Sequence, residues 1–162
     1  MSDYYSCSTN DAIINLRHYE WFGGDHMETD KSLLSEEDIK HRYITPALER
    51  VWNPSDIHME LPITAGRVNI RGNLEVRERP KFADYVLYTQ SGHPLAIVEA
   101  KDNKHTVSYG LQQAKAYAEM MDVKFAYSSN GDAFTEFDYL TGVERELPLD
   151  AFPSPAELIA SA

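Results

Sequence analysis

The stretch Pro94-Leu95-Ala96-Ile97-Val98-Glu99-Ala100-Lys101 constrains the fold more than any other part of the chain. Residues 95–100 form a near-continuous apolar run, the pattern of a strand covered on both faces. Such a strand sits inside a sheet with helices above and below, an α/β arrangement. The run ends in charge. Side chains two apart on a strand share a face, so Glu99 and Lys101 project together from its end.

The rest of the chain reads as a helix, three or four strands, a second helix and further strands. Ser35 offers a helix start, with Asp38 three residues on as an approximate capping box. Ile39, Tyr43, Ala47, Leu48, Val51 and Trp52 follow at roughly helical spacing, Pro46 should kink the helix, and Asn53-Pro54 should end it. Strands are expected at 57–61, 67–70 and 82–89, the last rich in aromatic and β-branched residues. Ser91-Gly92-His93-Pro94 makes the turn into the apolar strand. A helix over about 106–121 carries an apolar stripe of Val107, Leu111, Ala114, Ala118 and Met121; Gly110 inside it costs about 1 kcal/mol of helix propensity. Strands at 124–128 and 133–139 flank the Asn130-Gly131 turn, and Pro153 and Pro155 precede a short terminal helix. The expected fold is α/β, a mixed central β-sheet flanked by helices. Residues 1–34 stand as an unassigned N-terminal extension with a loop signal at Gly23-Gly24-Asp25, 35–158 as the domain, and 159–162 as a tail.

The chemistry gathers around the apolar strand. Asp84 lies on the preceding strand across a short turn, and antiparallel neighbours would bring it within about 5 Å of Glu99. Two carboxylates and an ammonium at one strand end repel and lose hydration. A divalent cation resolves that conflict. Mg²⁺ takes one or two carboxylates together with substrate phosphate, and it activates water for attack on phosphorus. Lys101 would orient the water, stabilise transition-state charge or, if buried, act as a base. The competing reading is an exposed ion pair at a strand end, worth little. Gln113 and Tyr117 are four apart and share a helix face, with Lys115 turned elsewhere. They either support that site or belong to an ordinary amphipathic helix with a core tyrosine.

Several motifs point the same way. Phe82-Ala83-Asp84-Tyr85-Val86-Leu87-Tyr88, then the strand ending Glu99-Ala100-Lys101, then Gln113-Ala114-Lys115-Ala116-Tyr117 resemble the PD-(D/E)xK endonuclease core at the N-terminus of type I restriction enzyme R subunits. Ser35-Glu36 to Pro46-Ala47-Leu48 resembles the leading helix of that core, and the similarity extends from about residue 34 to residue 158. Ala83 stands where the motif's name has proline, which is not a ligand. The resemblance implies a restriction-endonuclease-like fold. It also implies Asp84 and Glu99 as ligands of Mg²⁺, with Mn²⁺ able to substitute, and Lys101 as the catalytic lysine. Glu36, or else Glu37, would be the helix acid, and Gln113 and Tyr117 would position DNA or the lysine. The implied substrate is double-stranded DNA, and the implied partners are separate methylation and specificity subunits. No Gly-x-x-x-x-Gly-Lys-Ser/Thr stretch is present. ATP is therefore expected to serve only a motor region that would follow the tail, as if this were a nuclease domain cut from a longer polypeptide. Two alternatives share these residues: a non-catalytic nuclease-like docking module, and a stand-alone repair or junction nuclease.

Charge and composition bound these readings. The net charge of −11 is unusual for a protein that grips DNA. It is unevenly spread: residues 1–40 and 125–162 each carry −6, whereas 41–124 carries +1. Arg67, Arg71, Arg77, Arg79 and Lys81 make a local basic stretch, and help from other domains or subunits is expected for DNA affinity. No apolar run approaches the roughly 18 residues of a membrane span, and residues 1–10 do not read as a secretory signal. Cys7 is the sole cysteine, which excludes an intrachain disulfide and multi-cysteine zinc and makes a reducing cytoplasm the expected compartment. The six histidines show no ligand spacing, and His105 reads as a surface residue close to the motif.

Overall fold

Ser35 and Asp38 cap the first helical segment reciprocally. The Ser35 hydroxyl accepts from Asp38 N at 3.1 Å, and Asp38 Oδ2 accepts from Ser35 N at 3.3 Å. The computed structural model describes residues 30–64, 68–71, 74–77 and 80–161, with backbone alone at 64, 68–71 and 74–77. The loop expected at 23–25, Cys7, and the side chains of Arg67, Arg71, Arg77 and Arg79 lie outside the described residues.

Helix α1 (Glu36–Ile39) passes through a π turn (Lys40–Ile44) into α2 (Thr45–Glu49). Pro46 explains the turn. It has no N–H for the carbonyl four residues back, and the wider bonding just before it, with Thr45 N donating to Lys40 O, accommodates the gap. The expected kink is thus taken up as a π turn, and Ile39, Ile44, Ala47, Leu48 and Trp52 still fall on one buried face.

Strands β1 (Ile57–Thr64), β4 (Lys81–Tyr88), β5 (Pro94–Ala100), β6 (Phe125–Ser129), β7 (Ala133–Asp138) and β8 (Val143–Pro148) form one sheet in the order β1-β4-β5-β6-β7-β8. Strands β2 (Val68–Arg71) and β3 (Leu74–Arg77) pair as a separate hairpin. Neither β3 nor β8 stands out in the sequence, because charged residues interrupt both; β8 is mostly exposed. β5 and β6 are parallel, joined by α3 (Leu111–Met121), and every other neighbour in the large sheet is antiparallel. The sheet is mixed, as expected.

β5 is buried from Leu95 to Ala100. On one face Ala96, Val98 and Ala100 join Ile39, Leu48, Trp52, Phe152 and Leu158. On the other, Ile97 joins Val86, Ala126 and, from α3, Ala114 and Ala118. The sequence reading of the second helix needs one correction: residues 107–110 form turns, so α3 starts at Leu111 rather than near 106, with Gly110 as its cap. The short terminal helix is α4 (Pro155–Ser161), anchored in the core by Leu158. Among the described residues no helix is long and apolar enough to cross a membrane.

Leu48 is fully buried between α2 and the sheet. Leu48→Ala should lower the unfolding free energy by about 2–5 kcal/mol, read as a reduced urea midpoint at unchanged slope.

Candidate active site

The antiparallel register of β4 and β5, with Tyr85 opposite Val98, sets Asp84 beside Glu99. Asp84 N donates to Glu99 Oε1 at 3.3 Å, and Ala100 N donates to Asp84 Oδ2 at 2.9 Å. Lys101 continues past β5, its N–H held by Ser129 O at 2.8 Å. Its mostly buried side chain brings Nζ to 3.7 Å from Glu36 Oε2. Glu36 is therefore the helix acid that meets the motif lysine. Glu37 points outward, its Oε2 lying 3.3 Å from Lys40 Nζ.

Glu99 is 1% exposed. Burial, and then the charge of Asp84, push its carboxyl up to about 8, against the Asp84 N–H and Lys101, which favour the carboxylate. Glu36 is raised too, chiefly by burial, with Lys101 opposing. Both shifts favour the protonated carboxyl over the carboxylate. Among the described residues no three Asp, Glu, His or Cys side chains converge as an ion cage. The Asp84–Glu99 pair nevertheless fits Mg²⁺, which needs only one or two carboxylates and completes its shell with water and phosphate.

α3 brings its own face to the pair. Gln113 Nε2 donates to the Tyr117 hydroxyl at 3.2 Å, and Tyr117 is buried. Burial raises the Tyr117 phenol, Gln113 opposes, and the charges of Glu99, Asp84 and Lys101 are all felt there. Lys115 turns away, with Nζ 3.5 Å from the Phe137 ring centroid. All six residues singled out in the sequence are accordingly gathered at one end of the sheet. His105 does not join them: its Nδ1 lies 2.7 Å from Asp102 Oδ1 and its ring packs on Tyr109.

Three further residues belong to this site, and of these the sequence reading noticed Gly110 alone, as a cost to the helix. Gly110 N donates to Ser128 Oγ at 3.0 Å, and a Cβ there would lie 2.9 Å from Ser128 Oγ, 3.3 Å from Glu99 Cβ and 3.4 Å from Lys101 Cε. The glycine therefore lets the start of α3 close onto the motif, rather than acting as a flaw inside a helix. Lys40 is 2% exposed and touches Asp84 Oδ1 at 3.2 Å, Glu37 and Glu60. Burial opposes its charge, but the Glu60 hydrogen bond and the Asp84 charge outweigh that and raise its pKa. Glu60 lies between the Met59–Tyr85 and Leu61–Ala83 pairs, opposite Asp84. Its φ of 50° is a left-handed conformation costing about 1–2 kcal/mol for an L-residue. Lysine and glutamate twenty apart leave no periodic signal; only the lysine's place at the end of a helix that opens on three acids hints at a partner.

Two outcomes follow. Gly110→Ala should destabilise by about 1–3 kcal/mol through overpacking against Ser128 and Glu99, measured by chemical unfolding. A carboxyl whose folded pKa is raised lends stability below its unfolded pKa and withdraws it as pH rises through the folded value. Without metal, the wild type should thus lose thermal stability relative to Glu99→Gln between pH 4.5 and about 8. A pH-independent difference in melting temperature would contradict a buried, protonated Glu99.

Comparison with known proteins gives three concordant findings. Residues 52–153 match the family described as type I restriction enzyme R protein N terminus. The chain is 42% identical over 137 residues to the type I restriction enzyme EcoAI endonuclease subunit of Escherichia coli, covering 81% of this chain and 17% of that subunit. A solved fragment described as an HsdR subunit of a type I restriction enzyme from Vibrio vulnificus YJ016 superposes with a TM-score of 0.69 at 45% identity, over 78% of this chain and 25% of that one. The chain thus spans about a sixth of the curated relative's length and a quarter of the solved fragment's.

Proposed function

The chain belongs to the family of type I restriction enzyme R protein N termini, and from that premise we propose that Asp84, Glu99 and Lys101 form a divalent-metal site that hydrolyses phosphodiester bonds of double-stranded DNA. The observation that carries this reading is Glu99, buried against Asp84 at the end of a doubly covered strand. Burying Glu99 beside Asp84 is costly to the fold, and a shared divalent cation would offset that cost.

Asp84 and Glu99 would hold Mg²⁺, or Mn²⁺ in its place. When bound, the ion supplies a Lewis acid that activates water and neutralises charge on the phosphoryl oxygens. Each side chain then has its own task. Glu99 would give up its proton in order to hold the ion. Lys101, kept in place by Glu36, presents its ammonium to the attacking water or to charge growing on the phosphate. Tyr117, with Gln113 on its hydroxyl, offers a donor to a DNA phosphate or to Lys101. The α3 cap at Gly110 packs on Glu99 and Lys101 and keeps them from spreading.

This chain supplies no ATP site of the P-loop type, so ATP-driven translocation falls to other parts of such subunits, and target choice to methylation and specificity partners. A cytoplasmic setting accords with the lone Cys7. The acidic flanks would weaken free DNA binding and suit docking to basic partner surfaces.

Calorimetric titration with Mn²⁺ tests the reading. The wild type should bind, Asp84→Ala should not, and at pH 7 the observed heat should vary with buffer ionisation because Glu99 gives up a proton. Nicking of plasmid DNA should fall by roughly 10²-fold or more in Asp84→Ala and Lys101→Ala. Absence of binding even with duplex DNA present would leave a non-catalytic docking module.

A further inference from the structure

Lys40 is not one of the motif residues, yet it is among the most completely buried charges of the described chain. Its ammonium contacts three carboxylates from three elements: Glu37 on α1, Glu60 on β1 and Asp84 on β4. Two of these are solvated, as Glu37 and Glu60 are more than half exposed at the side chain, whereas Asp84 is 14% exposed. An ordinary surface lysine would stay in water with the solvated pair. This one is drawn inward, its nitrogen also 5.9 Å from the Tyr85 ring centroid.

The Asp84 carboxylate is thereby divided. Oδ2 takes the Ala100 N–H, and Oδ1 takes the Lys40 ammonium. Glu60 reaches the same ammonium from a left-handed backbone directly across the ladder from Asp84. Strain of that kind persists only where the surroundings enforce it. The side chain it re-aims is the one that closes the Asp84–Lys40–Glu60 bridge.

We infer that Lys40 is the resident cation of this site, a positioning residue that compensates Asp84 and Glu60 from the helix side and limits divalent-ion binding to the Asp84–Glu99 side. This rests on the nuclease reading for its consequence but not for its geometry. The ammonium competes for Asp84 Oδ1 and repels a second positive charge. Taking it away should therefore strengthen metal binding, whereas loss of a merely packed side chain would weaken it or leave it unchanged.

The experiment is Mn²⁺ titration of wild type, Lys40→Gln, Lys40→Gln/Glu60→Gln and Asp84→Ala, by calorimetry and by electron paramagnetic resonance of free Mn²⁺, with circular dichroism as the check on folding. Lys40→Gln is expected to bind at least tenfold more tightly than wild type, and the gain should persist, though reduced, in the double variant, because Asp84 Oδ1 is released in both. Equal or weaker binding by folded Lys40→Gln overturns the inference, as does a gain that disappears when Glu60 is neutralised. If Lys40→Gln does not fold, Lys40→Met, which keeps the apolar stem, takes its place. Should both need Mn²⁺ to fold, the charge role stands; failure to fold even with Mn²⁺ overturns it. The nuclease reading is judged separately, by wild type against Asp84→Ala. A wild type that binds no Mn²⁺ even with duplex DNA present would sink that reading, while a gain in Lys40→Gln that persists without Glu60 would still uphold this one.

Discussion

A carboxylate buried where water cannot reach it, beside a second carboxylate, is the constraint around which this domain is arranged. Glu99 sits at the end of β5, covered by helices on one face and by α3 on the other. Desolvation disfavours its charge, and Asp84 disfavours it further. The surrounding groups answer that conflict. Two backbone N–H groups, Lys101 and Lys40 crowd around the pair, and Glu36 in turn holds Lys101. Under the proposed nuclease reading, a divalent cation shared with a substrate phosphate would relieve the same conflict.

The scaffold places those groups through two local departures from regular structure. Pro46 widens the first helix into a π turn that begins at Lys40. Gly110 removes the Cβ that would hold α3 away from Ser128, Glu99 and Lys101. Both look like defects when judged by helix propensity alone. In the folded chain the π turn starts at the lysine that reaches Asp84, and the glycine brings the helix start against the motif. A third cluster lies away from this end. Tyr127 donates to Glu136 Oε2 at 2.5 Å, and Arg145 Nε lies 2.6 Å from Glu136 Oε1. That arrangement satisfies a buried glutamate under β8 and ties the last strand to the sheet.

Much of the site was legible because strands and helices impose fixed periods. Glu99 and Lys101 differ by two, and Gln113 and Tyr117 by four, so their shared faces follow from backbone geometry. Asp84 followed from one short turn. The helix acid was narrowed to Glu36 or Glu37, since neighbouring positions on a helix cannot be told apart without knowing how the helix is rotated against the sheet. Lys40 and Glu60 were illegible for a stronger reason. They meet across the first helix and the first strand, and no spacing rule links residues whose contact depends on how separate elements pack. β8 was missed because an exposed edge strand has little apolar pattern to display.

The sequence by itself determined the α/β class, the doubly covered strand and the clustering of Asp84, Glu99 and Lys101, because each depends on periodicity or on residues close in the chain. Only the tertiary structure decided which acid faces Lys101, how closely α3 approaches it, and that a buried lysine stands against Asp84. Those outcomes depend on distances between elements far apart in sequence. Such distances are set by close packing of the whole core, not by any local stretch of chain.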